Sequence, residues 1–330
     1  MAYTHRDYEP PNGGQEDTSC DLDMPNLNEG AGDFSGTHGG YFVPPELSQD
    51  VNQIIRDGGC VEGFAKHYPM RRLELILRKF ATGVDGYWVG AECVKEKDAP
   101  SFELVTLHAE KMAVIVPFED QLLEDADHDM AALVSTDVTG AFIEAVDRTF
   151  LGYEITSPFP DSLSGNTPAA HTVIYGTDVD LAGDISEAIS AIEGDGFEAT
   201  GMITHPRIKH LLRNLRDLNN QPIFSERLDA CIPRERYCVF GVPICFTRQV
   251  AAQLSPAGYE ILIAYFPYVF VGDRTGLTVA ISNEATLTSG SLDAINLFEQ
   301  DMTAYRFVIR KAFAIKDDNA LAKVTGVPAI

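Results

Sequence analysis

The chain has 330 residues, 45% of them hydrophobic and 9% aromatic, so it can bury one large or two modest cores and is too apolar to be disordered. Forty-nine Asp and Glu face 25 Lys and Arg, nine of them Lys, for a formal charge of −24. Such a surface repels polyphosphate and argues against tight nucleic-acid binding. Adaptation to high salt, which screens crowded carboxylates, is a sharper reading of the same numbers.

No run of 18 apolar residues occurs, so no membrane span is expected. The opening MAYTHRDYEPPNGG lacks the basic and apolar regions of a signal peptide, so folding is expected in a cytoplasm. Cys20, Cys60, Cys93, Cys231, Cys238 and Cys245 form no CxxC pair and no Cys/His cluster. They read as free thiols rather than metal ligands.

Residues 1–40 carry eight carboxylates and a single base, Arg6, with many Gly, Pro and Asn. They read as a flexible arm without a core of its own. "GGYFVPPELSQDVNQIIRDGG" predicts a helix entered at Pro44-Pro45, with Leu47, Val51, Ile54 and Ile55 on one face and Gly58-Gly59 ending it. "RRLELILRKF" and "SFELVTLHAEKMAVIVPF" then read as two long strands around a turn-rich stretch that holds Trp88. Two hairpin arms of about twenty residues, at about 3.3 Å per residue, reach about 60 Å. The second strand runs without a linker into an acidic first turn, Glu119-Asp120, and a helix over about 119–150. Its apolar stripe includes Val134, Val138, Ala141, Phe142 and Val146.

Residues 151–175, rich in Pro, Gly and Ser, form a connection. Shorter helices follow at 180–193 (Ile185, Ile189 and Ile192 inward) and 205–218 (Ile208, Leu211, Leu212 and Leu215 inward). The last third reads as strands: "YCVFGVPICFT", "YEILIAYFPYVFVGD", "LTVAIS" and "AYRFVIRKAFAIK". Helices and strands are segregated, so the fold class is α+β.

Motifs for chemistry are absent from this reading. There is no GxxxxGK[ST], HExxH or GxSxG. The run "DADHD" imitates the start of a calcium loop, but Met130 stands where the turn needs Gly and Thr136 where a bidentate Glu should close it. His205 and His210 are five apart and off a common helical face. No catalytic residue, metal or cofactor is expected.

The order of several phrases resembles the major capsid proteins of tailed viruses, with the Hong Kong 97-like fold. They are "GGYFVPPEL", "WVGAE", "PSFELVTLHAEKMAVIVPFEDQLLEDA", "GMITHPRIKHLLRNLRD" with "QPIF", "GVPICFT" and "FVGDRTGLTV", within residues 39–316. The resemblance implies an N-terminal arm (1–40), a peripheral domain opening with the first helix (41–70) and an extended loop (71–118). The peripheral domain would resume with the spine helix and connection (119–175). An axial domain (176–265) and return strands, mainly peripheral (266–330), complete it.

It further implies a loop tip that touches neighbouring subunits through Tyr87, Trp88, Val89, Glu92, Lys95 and Lys97, and an arm lying along neighbours. The implied function is self-assembly into hexamers and pentamers of an icosahedral shell around double-stranded DNA, without sequence-specific binding. The implied place is the virion, assembled in the host cytoplasm. A separate scaffolding protein, a portal and a decoration protein are the further partners. The chain has no room for the helical scaffolding segment that opens some members. Lys95 and Lys97 have no identifiable asparagine partner for the covalent link seen in others, so no cross-link is expected. The alternatives are an encapsulin-type compartment shell and an acidic cytoplasmic enzyme with an unrecognised site.

Overall fold

The computed structural model describes residues 58–82, 101–121, 130–154, 156–177, 180–216, 221–222, 224–226, 237–254, 257–288 and 295–328. Residues 1–40, the helix read from Pro44 and the hairpin tip with Trp88 lie outside this set. Residues 40–330 form one compact unit. The chain begins with α1 (Cys60–Phe64), β1 (Lys66–Pro69), β2 (Glu74–Thr82), β3 (Ser101–His108), β4 (Glu110–Glu119) and the long α2 (Met130–Leu151). Then come β5 (Thr172–Ile174), α3 (Leu181–Gly194), β6 (Gly201–Thr204) and α4 (Lys209–Asn214). The remaining strands are β7 (Phe224–Glu226), β8 (Tyr237–Val239), β9 (Val242–Phe246), β10 (Gln253–Leu254), β11 (Ala257–Ala264) and β12 (Val269–Ser282). They are followed by β13 (Thr286–Leu287), β14 (Ile295–Asn296), β15 (Met302–Ile315) and β16 (Leu321–Val327).

Two sheets carry the architecture. The first has the order β1-β12-β15-β4, and the second runs β5-β16-β11-β6-β9-β8-β7, with β10 paired to β11. Most neighbours are antiparallel; β1–β12, β5–β16 and β6–β9 are parallel. Central β11 reads "EILIA", and all of these residues are buried because both faces of the strand are covered. On one side α3 contributes Leu181, Ile185, Ala188 and Ile192 to that core. Asp180 caps α3 by accepting from the Gly183 N–H at 2.9 Å.

In the first sheet, alternation along β15 sends side chains to opposite faces. Phe307 and Ile309 join Val138 and Phe142 of α2, with Leu277 of β12. Ala312 and Ala314 turn the other way, where Val105 and Leu107 of the β2–β3 hairpin cover them. Near its end α2 packs Phe150 against Phe313, rings stacked with centroids 4.4 Å apart. The long helix and the hairpin therefore lie on opposite faces of one sheet. Ala141, read into the apolar stripe of the helix, is exposed.

The stretch 101–118, expected as one strand, is two. The Ala109 N–H donates to the Leu73 carbonyl at 2.9 Å and closes the β2–β3 ladder. From Glu110 onward the chain pairs with β15 over ten residues, Glu110↔Lys311 to Glu119↔Met302. A small, buried residue at 109 permits the change of partner. Hence the hairpin pairing joins 74–82 to 101–108, and Glu110–Glu119 is an edge strand of the first sheet. At the junction, strand ends at Glu119 and helical backbone covers Asp120 and Gln121; residues 122–129, between it and α2, lie outside the described set. The clamp of the junction is Asp120, whose N–H donates to the Asp301 carbonyl at 2.9 Å and whose Oδ1 accepts from Thr303 at 2.6 Å.

Other expectations need correction. Cys60 and Cys245 are joined in a disulfide, so these two are not free thiols. The bond ties α1 to β9 across 185 residues of sequence. Cys238 is buried and forms no disulfide among the described residues. The helix expected over 205–218 is a 3-10 turn at Pro206–Ile208 followed by α4, and it stops at Asn214 because Leu215 is extended. Helical backbone at Gly58 stops at Gly59, as expected, and the short α1 follows. No helix among the described residues is long and apolar enough to cross a membrane.

Candidate assembly surface

The hairpin presents apolar side chains on both faces. Opposite residues across an antiparallel pair point the same way, and alternate residues point oppositely. Leu75 lies opposite Leu107, and Leu77 opposite Val105. These inner pairs pack on Met70, Phe270, Ala312 and Ala314. On the outer face Ile76 lies opposite Thr106 and Arg78 opposite Leu104. Here Ile76 is 55% exposed, Phe102 58% and Leu104 63%. At 25 cal/mol per Å², covering three such side chains contributes several kcal/mol, on the order of 1–2 each. A ribbon with one face buried in its own subunit and an apolar row outside is a docking element.

Exposed apolar side chains also lie on β4, the edge of the first sheet, with Ile115 48% exposed on one face and Val114 at the border of exposure on the other. An edge strand offers backbone groups as well as side chains to another chain. At the β8–β9 turn, Phe240 is exposed and has φ +50°, followed by Gly241 at +82°. Two residues with positive φ fit a hairpin turn that favours Asn-Gly, so holding Phe there is a local strain.

A buried charge cluster joins α1 to strands of the first sheet. Lys311, 5% exposed, donates to Asp273 Oδ1 at 2.7 Å and to Glu62 Oε2 at 3.1 Å, with Glu62 Oε1 at 3.0 Å. His67 bridges Asp273 Oδ2 at 2.9 Å and the Glu62 carbonyl at 2.8 Å. α1, β1, β12 and β15 are thereby locked together.

Clusters that resemble catalytic groups have structural roles. Buried Glu260 accepts from the Tyr153 hydroxyl at 2.6 Å and the Ser164 hydroxyl at 2.7 Å, with Lys323 at 3.7 Å. Burial, and then the Glu260 charge, push the Tyr153 hydroxyl far above its usual range. A phenol so held does not ionise to act as a nucleophile or base. His205 stacks on Tyr259 at 4.2 Å and accepts from the Arg207 N–H at 3.1 Å. Partial burial, Arg207 and Arg248 hold its pKa below the usual value, which favours the neutral ring. Among the described residues no group of three His, Cys, Asp or Glu could hold a metal ion.

The tip residues Tyr87, Trp88, Val89, Glu92, Lys95 and Lys97 all lie outside the described set. The exposed row nearer the hairpin base escaped sequence reasoning. The signal was present as the alternation Leu75-Ile76-Leu77 against Phe102-Glu103-Leu104-Val105, apolar at both phases.

Comparison with known proteins gives the same direction. The sequence profile of the Phage capsid family matches residues 39–326. The major capsid protein of Staphylococcus phage 80alpha is 26% identical over 290 residues, 86% of this chain and 84% of that one. A solved structure from Microbacterium phage Oxtober96 superposes with a TM-score of 0.66 at 24% identity, covering 81% of this chain and 90% of the other. Another, from Mycobacterium phage Adephagia, gives 0.65 at 21% identity, with 82% and 90% covered. The chain belongs to the phage capsid family, with the Hong Kong 97-like α+β fold that its sequence resembles.

Proposed function

We propose that this protein is the major capsid protein of a tailed phage, a structural subunit that assembles with copies of itself into the virion shell. One observation carries the reading: the hairpin packs one apolar face on its own sheet and leaves Ile76, Phe102 and Leu104 exposed on the other. In a lone subunit that row stands in water; in a shell, a neighbour covers it. Repetition at every subunit turns modest contacts into a stable particle.

In this reading residues 71–118 hold the extended loop, with tip contacts from Tyr87, Trp88, Val89, Glu92, Lys95 and Lys97 to the next subunit. Residues 119–175 supply the spine and 176–265 the axial domain around hexamer and pentamer axes. Residues 1–40 lie along neighbouring copies. The shell encloses double-stranded DNA without gripping it, as the charge of −24 favours. A scaffolding protein, a portal and a decoration protein are the further partners of such a shell. The family and its phage relatives favour this over an encapsulin-type compartment.

Negative-stain microscopy of the purified protein tests the reading. Closed particles with five- and sixfold capsomers are expected; a protein that stays a small oligomer at every concentration and salt contradicts it.

A further inference from the structure

Lys311 of β15 and Asp273 of β12 stand directly opposite each other in the first sheet, so both side chains leave on the same face. Lys311 Nζ lies 2.7 Å from Asp273 Oδ1. The neighbours on that face, Ile309 and Phe313 beside Lys311 and Val271 beside Asp273, are buried. Glu62 reaches in from α1 and holds both carboxylate oxygens within 3.1 Å of the same nitrogen. It is buried, and its Oε1, 3.0 Å from Nζ, accepts no well-directed hydrogen bond among the described residues. Beyond Asp273, His67 Nδ1 is 2.9 Å from Oδ2, while its Nε2 faces the Glu62 carbonyl at 2.8 Å. A carbonyl only accepts, so Nε2 carries a proton, and the imidazolium form donates to both partners.

We propose that Lys311 and Asp273 condense into an isopeptide bond within the subunit, with Glu62 as the base and His67 as the acid. Glu62 takes one proton from the Lys311 ammonium. The free amine attacks Asp273 Cγ and forms the C–N bond, while His67 gives its Nδ1 proton to Oδ2. Glu62 then passes its proton to the same oxygen, the Cγ–Oδ2 bond breaks and water leaves. The surplus proton on nitrogen returns to His67, so the step balances without an oxidant. Burial favours the product, because one neutral amide replaces an ammonium and a carboxylate that are costly to keep from water. The ladder fixes the two groups in contact, which is equivalent to an effective concentration on the order of 10⁵ M or more. Asp273, 21% exposed, is the side by which the water departs. Lys323 and Glu260 lack this arrangement: they are 3.7 Å apart, and Lys323 donates to the Ser164 carbonyl instead. The bond staples β12 to β15, the two 14-residue strands of the first sheet, and involves neither Lys95 nor Lys97.

Intact-mass spectrometry of full-length subunits, denatured from the folded protein and from particles, tests this. A mass lower than the sequence by one water is expected. Proteolysis should yield one branched peptide that joins Lys311 to Asp273, with no tryptic cleavage at Lys311 and with Lys323 unlinked. Glu62→Gln should keep the full mass under conditions where wild type is linked, with circular dichroism showing that the variant is folded. Asp273→Asn, which loses ammonia in place of water, should reach the same mass as linked wild type. Full mass in both wild-type samples overturns the inference, whether or not any variant folds. So does a link from Lys311 to Glu62, a loss of water without the branched peptide, or a Glu62→Gln chain that links as completely as wild type. The shell reading is independent of this outcome.

Discussion

Asp147 of the long helix caps a helix that begins 87 residues earlier. Its Oδ2 accepts from the Cys60 N–H at 3.0 Å and its Oδ1 from the Val61 N–H at 3.2 Å. Burial is the main cause that raises its pKa to about 6; the two N–H donors pull it down and Glu62 adds a smaller upward push. In the unfolded chain the group ionises near 3.8. A folded pKa above the unfolded one means that the fold favours the protonated acid. This contribution is therefore full below about pH 4 and lost as pH rises to about 6, by about 3 kcal/mol. Asp147→Asn should flatten this part of the dependence of unfolding free energy on pH, measured on free subunits between pH 4 and 6.5. An unchanged slope would show that Asp147 does not set it.

Glu62 and Lys311 should behave as a coupled pair. Glu62→Gln leaves a buried ammonium with Asp273 alone and should destabilise the subunit by about 3 kcal/mol or more. Adding Lys311→Met should recover much of that loss, because Asp273 keeps His67 at 2.9 Å. Strict additivity in a double-mutant cycle, read by denaturant unfolding, would contradict the coupling.

The Cys60–Cys245 bond closes a loop of 185 residues between α1 and β9. On a chain-entropy argument it contributes up to about 5 kcal/mol. Thermal unfolding of free subunits with and without a phosphine reductant should show a lower midpoint on reduction, and Cys245→Ser should match the reduced protein. Equal midpoints would mean that the link does not stabilise the subunit.

Salt should also matter. With 49 acids against 25 bases, screening at molar salt should raise the thermal midpoint of particles over that at about 0.1 M. Equal midpoints would remove the salt-adapted reading and leave the shell intact.

Local signals were the legible ones. Pro117 and the acidic Glu119-Asp120 marked the strand-to-helix junction, Asp180 and Pro206 marked helix starts, and the period of Val138, Phe142 and Val146 marked the buried face of α2. Partner choice was not legible, because it depends on residues far apart in sequence. Nothing near Ala109 announces that Glu110 pairs with Lys311 rather than continuing the hairpin. Cys60 and Cys245 share no motif across 185 residues. In β16 two buried residues flank each half-buried one, so "LAKVTGV" lacks the alternation of a strand with one wet face.

Particle formation by an outer-face variant of the hairpin tests the account most directly. Ile76→Ser, Phe102→Ser and Leu104→Ser together change only exposed positions, so the subunit should keep its circular dichroism and unfolding midpoint. Each buried anchor is worth about 2 kcal/mol at an interface and the loss repeats at every subunit. On a sucrose gradient examined by electron microscopy, wild type should sediment as closed shells and the variant should remain as subunits or capsomers. Normal shells from the folded variant would contradict the account.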